Sequence, residues 1–139
     1  QYRQKARKLR AFLDLVERHG SLERLLALPG EPLRADLLAT WGIGPETADA
    51  IILYAARQPA FVIDAYTQRL FSRLGLGPAS STSYDRWQRF FESNLPADRD
   101  LWARFHALVV LHSKHLCLKT RPRCGESLLA ASCPAALAR

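Results

Sequence analysis

Three groups of residues in this chain have the types and spacing to do chemistry. The first is Asp64, which ends the apolar run Phe61-Val62-Ile63 and opens Ala65-Tyr66-Thr67. A carboxylate in that place most simply caps a helix. Held at a cleft edge, the same group would stabilise positive charge or activate a water. The second is Gly42-Ile43-Gly44-Pro45, between the apolar stretch Leu37-Leu38-Ala39-Thr40-Trp41 and Glu46-Thr47-Ala48. Glycines in such a turn can take positive φ and leave the backbone uncovered. Pro45 suits a first helical position, and the following helix directs its free N–H groups at whatever lies over the turn. A phosphate fits there without any base contact, so such a turn binds nucleic acid without reading its sequence. The other reading is a plain helical hairpin. The third group is Cys117, Cys124 and Cys133, crowded into the last 23 residues of a chain with no other cysteine. Three thiols in one basic loop point to a metal or iron–sulfur site rather than a disulfide framework. Of the nearby histidines, His112 reads as a core residue rather than a ligand, and His115, although beside Cys117, is only a minor ligand candidate.

Helices must position these groups. Leu9, Phe12, Leu13 and Val16 recur with helical spacing and stop at Gly20, and the opposite face carries Arg3, Lys5, Arg7, Lys8 and Arg10. That basic face could touch a polyanion or simply be solvated. Ser21 caps a short helix ended by Pro29-Gly30, and Pro32 starts another bearing Leu33, Leu37, Leu38 and Trp41. The hairpin spans about 33–57, the Asp64 segment 59–74 and the cysteine loop 117–133. Residues 75–83 read as a loop. Tyr84, Trp87, Phe90 and Phe91 follow at the spacing of a buried helix face, so they read as core rather than as base-stacking residues. A long helix over about 97–115 carries Leu101, Phe105, Leu108 and Val109 as its inward stripe. With no strand-like alternation, the fold class is all-α, with about seven helices in one domain over 1–139.

Composition sets outer bounds. The 139 residues are 48% hydrophobic and carry a net charge of +7, enough to bury a core and to favour a polyanionic partner. No apolar run approaches the ~20 residues of a membrane span. The chain opens on Gln1 directly in a helical pattern, which reads as a fragment or processed form.

These features occur in the order and spacing of one family. The stretch 41–70 resembles the helix-hairpin-helix and Gly/Pro-Asp core of the endonuclease III superfamily of DNA base-excision glycosylases, and the tail resembles that family's iron–sulfur loop. The resemblance covers about residues 1–136, without the family's N-terminal helices. It implies an all-α fold in which Gly42, Ile43, Gly44 and Thr47 grip DNA, Asp64 is the essential carboxylate, and Arg121 and Arg123 face phosphates. The implied partner is double-stranded DNA with a damaged or abasic site, bound by a monomer in a cytoplasmic, nucleoid-associated location. Two positions depart from the pattern. Bifunctional members carry a lysine where this chain has Glu46, so the resemblance is to monofunctional glycosylases, closest to those removing alkylated purines. The rival readings are a non-catalytic DNA-binding module and a glycosylase/lyase with its amine elsewhere. The family cysteine spacing is Cys-x6-Cys-x2-Cys-x5-Cys, and its third place falls on Ser127. A 4Fe–4S cluster with an oxygen or external fourth ligand, a three-iron cluster and an empty loop all remain open.

Overall fold

Helix α1 runs from Tyr2 to Arg18, and Gly20 at φ +85° supplies the left-handed turn that ends it. The structure is a computed structural model that describes residues 2–79 and 83–138. Gln1, Arg139 and residues 80–82 of the expected loop lie outside the described residues. Ser21 caps α2 (Leu22–Leu26) by accepting the Arg24 N–H, and α3 follows over Gly30–Leu38. Pro45 opens α4 (Pro45–Ala50), which widens into a π-helical turn over Ile51–Ala55. Asp64 caps α5 (Ala65–Arg73), and α6 (Tyr84–Asn94) and α7 (Arg99–His115) follow, the latter capped by Asp98. Two short 3₁₀ turns, Cys124–Glu126 and Ala130–Ser132, lead to α8 (Pro134–Leu137). The described residues contain no strand, so the all-α expectation holds.

The chain divides into two compact units, residues 1–60 and 61–139. In the first, Leu15, Leu25, Leu33, Leu37, Ala48 and Ile52 form the core, with Phe12 and Val16 packed against it. The inward face of α1 is therefore rotated from the expected stripe: Leu15 is fully buried, whereas Leu9 and Leu13 are exposed. Leu38 and Trp41 are likewise exposed, because α3 buries the Leu33–Leu37 side. The Arg34 Nε and Nη2 donate to the two oxygens of fully buried Asp49 at 2.7 and 3.1 Å, joining α3 to α4.

The second unit is built on aromatics. Phe61 stacks on Phe91 at 4.3 Å and meets the edge of Trp102 at 5.8 Å, while Phe71 packs edge-on to Phe91 at 4.7 Å. Trp87 and Phe91 are buried, as their spacing predicted. On α7 the inward residues are Trp102, Phe105 and Val109; Leu101 and Leu108, expected in that stripe, are exposed. The segment 61–63 is extended without a partner strand, so its backbone groups need other partners. One face of α6 provides them. The Phe61 N–H donates to Glu92 at 3.0 Å, Gln88 donates to the Phe61 carbonyl at 2.9 Å, and the Ile63 N–H donates to the Tyr84 hydroxyl at 3.3 Å.

Candidate functional site

The buried segment 61–63 delivers Asp64 to the start of α5, where only 8% of the residue is exposed. Its Oδ1 accepts the Thr67 N–H at 2.7 Å and the Thr67 hydroxyl at 2.8 Å. Its Oδ2 lies 3.2 Å from Nε2 of His106, which α7 brings across from 42 positions along the chain. Burial is the largest single influence on the Asp64 pKa and raises it. Hydrogen bonding to His106, the two bonds from Thr67 and the charge of His106 together outweigh burial and hold the carboxyl below its usual range. The capping and the functional readings of Asp64 are thus compatible, since Oδ1 closes the helix while Oδ2 faces a histidine. A carboxylate held so firmly ionised is a weak proton acceptor and a strong stabiliser of neighbouring positive charge.

The turn at 42–44 belongs to the other unit. Gly42 has φ +82°, and a Cβ there would come within 2.5 Å of Lys8 Cγ. Gly44 departs from the expected positive φ: at φ −96° and ψ 179° it is extended, and a Cβ would meet nothing within 4 Å. The Thr40 carbonyl accepts the Ile43 N–H at 3.1 Å, which tightens the turn. Gly44, Glu46 and Thr47 are exposed and Ile43 is half-buried. Two basic side chains of α1 lie on this turn: Arg7 stacks over Trp41 at 3.9 Å, and the stem of Lys8 crosses Gly42. The sequence left the role of that basic face open.

The cysteine tail borders a cavity lined by Cys117, Cys124, Cys133, Ser127 and His112 together with apolar side chains. Two arginines of α5 secure it. Arg69 donates to the carbonyls of Cys117 at 2.9 Å and Ser113 at 3.2 Å, while Arg73 donates to the carbonyls of Leu118 at 2.7 Å and Lys119 at 3.0 Å. Arg73 also donates to the Cys117 sulfur at 3.2 Å. Among the described residues, no three ligand-type side chains converge closely enough to hold a single metal ion. The three cysteines that line this hollow are the donor type a soft metal group would take. Of the two histidines near the tail, His112 lines the cavity and His115 is exposed. Arg121, at φ +51°, and Arg123 are both exposed on the loop.

Comparison with known proteins decides the fold family. A solved endonuclease III–DNA complex superposes on 94% of this chain and 76% of its own, with a TM-score of 0.67 at 18% identity. The fold is that of endonuclease III. By sequence, a Methanocaldococcus jannaschii protein with a provisional DNA repair glycosylase name is 42% identical over 121 residues, covering 85% of this chain and 54% of its own length. The endonuclease III of Sulfolobus acidocaldarius is 30% identical over 127 residues, covering 91% of this chain and 55% of its own length. The chain is thus similar in sequence to endonuclease III-like DNA glycosylases and spans about half the length of these two. No protein-family model matches it.

Proposed function

We propose that this chain is the part of a base-excision DNA glycosylase that carries its essential carboxylate and a DNA-gripping hairpin. The observation that carries the reading is Asp64, buried, capped onto Thr67 and paired with His106 so that it stays anionic. When the bond between C1′ and the base nitrogen breaks, its electron pair leaves with the base and the sugar gains oxocarbenium character. An anion beside that sugar lowers the energy of the charge, water then adds at C1′, and its proton is lost. The target base must first leave the stack to be reached. The Gly42–Gly44 turn, with Lys8 and Arg7 beside it, supplies backbone N–H groups and cations for phosphates, and Arg121 and Arg123 add charge on the cysteine loop. Double-stranded DNA with a damaged or abasic site is the partner, bound by a monomer in a cytoplasmic, nucleoid-associated setting.

The monofunctional reading rests on Glu46, since a carboxylate cannot form the Schiff base that lyase chemistry needs. Alkylated purines are the favoured substrates because they already carry positive charge and leave without an added proton. The lyase alternative has one observation in its favour: the stem of Lys8 crosses the hairpin glycine and brings an amine to the turn. Cys117, Cys124 and Cys133 would hold an iron–sulfur cluster that braces the loop bearing Arg121 and Arg123.

The test is base release from duplexes carrying 3-methyladenine, 7-methylguanine or an oxidised pyrimidine, with Asp64→Asn as control. Release of a methylated purine that leaves an intact abasic strand supports the reading. Full activity in Asp64→Asn would sink it. Borohydride trapping of a covalent DNA adduct, abolished by Lys8→Ala, would select the lyase alternative. DNA binding without release of any base would leave a binding module.

A further inference from the structure

The cavity of the cysteine tail contains a side chain that the four-cysteine pattern does not use. His112 sits in the last turn of α7, and its carbonyl accepts the N–H groups of Leu116 at 2.8 Å and Cys117 at 3.0 Å, tying the helix end to the first thiol. Its ring Nε2 lies 3.4 Å from Oγ of Ser127, the position where the family pattern has its third thiolate. Both groups line the same cavity as the three cysteines. We infer that His112 is the fourth protein ligand of the iron–sulfur group, in place of the thiolate missing at Ser127. The inference rests on the cluster proposed above.

The chemistry favours the ring over the hydroxyl. Imidazole nitrogen is an established replacement for thiolate at iron–sulfur centres, as in Rieske sites. A serine oxygen is a harder donor and must lose a proton to bind well. Ser127 Oγ, moreover, already accepts the Leu129 N–H at 3.1 Å, which turns the hydroxyl toward the loop backbone. With three thiolates and one neutral imidazole, the ligand set carries one negative charge fewer than four thiolates, and reduction becomes easier.

The experiment is anaerobic reconstitution of the whole chain with iron and sulfide, followed by metal and sulfide analysis, potentiometry and pulsed EPR of the reduced protein. Nitrogen hyperfine coupling is expected in the wild type and in Ser127→Ala. It should vanish in His112→Cys, which keeps its iron and becomes harder to reduce. A cluster lacking nitrogen coupling, with a spectrum unchanged in His112→Cys, would overturn ligation by His112 and leave the cluster reading standing. Uptake by Ser127→Cys but not by the wild type would also overturn it, because His112 would then fail to complete the set. Failure of both proteins to take up iron and sulfide would remove the cluster reading itself, and the inference with it.

Discussion

Asp64 caps α5 and, in the proposed function, is also the essential carboxylate, and two substitutions separate these roles. Asn caps helices about as well as Asp, so Asp64→Asn keeps the start of α5 while removing the charge. Its melting temperature should stay near that of the wild type while base release falls about a hundredfold or more. Asp64→Ala loses the cap as well, at a further cost of about 0.5–2 kcal/mol measurable by urea unfolding. His106 is a positioning residue for this carboxylate. Removing it in His106→Leu leaves burial less opposed, so the Asp64 pKa rises and the acid limb of the pH–rate profile moves to higher pH. His106→Gln, which restores a donor to Oδ2, should move the limb back. The same linkage bears on stability. With its folded pKa lowered, Asp64 contributes stability above its unfolded value of about 3.9, and that contribution is lost as pH falls through the folded value.

The helical elements make their own demands. Arg34 and Asp49 fix α3 against α4, and Asp49 is fully buried, so removing its carboxylate breaks two charge-assisted hydrogen bonds in the core. Asp49→Ala should cost about 1.5–3 kcal/mol in equilibrium unfolding. The two hairpin glycines should respond differently to alanine. Gly42→Ala forces a side chain into left-handed backbone beside Lys8 and should destabilise the unit by about 1–2 kcal/mol or more. Gly44→Ala meets no neighbour and no strained φ, so its thermal stability should hold. A loss of DNA affinity in that variant would report close approach of phosphate to the Gly44 backbone. Helix α6 shows how much of an element can be read from spacing alone. Trp87 and Phe91 announce its apolar face, and Tyr84, Gln88 and Glu92, four apart, form the stripe that holds the extended segment before Asp64. That polar stripe looks like ordinary surface until its partners are known.

Over the whole molecule, the charge of +7 predicts DNA binding that weakens steeply with salt. Log affinity against log salt should fall with a slope of about −0.9 for each phosphate neutralised. Lys8→Ala should weaken binding to every sequence alike and reduce that slope by about 1. A slope unchanged in Lys8→Ala would place the Lys8 amine away from phosphate. Arg73→Ala should loosen the cysteine loop while keeping all three cysteines, because it removes the bonds to the Cys117 sulfur and the Leu118 and Lys119 carbonyls, and iron retention after reconstitution, measured against chelator, should fall.

Local chemistry was enough to settle much of this protein. The caps at Ser21 and Asp64, the stop at Gly20, and the aromatic face of α6 depend on residues a few positions apart, so spacing revealed them; Pro29-Gly30, expected to stop α2, instead opens α3. The resemblance built on Gly42–Gly44, Asp64 and the cysteine spacing likewise needed only order along the chain. Rotation of a helix about its axis is set by its neighbours, which is why Leu9, Leu13, Leu101 and Leu108 looked inward and are exposed. Pairing across long separations was equally out of reach. His106 meets Asp64, Arg34 meets Asp49, Arg73 meets Cys117 and His112 meets Ser127 only because packed helices bring distant positions together. The sequence named the carboxylate and the thiols; the tertiary structure chose which histidine faces each.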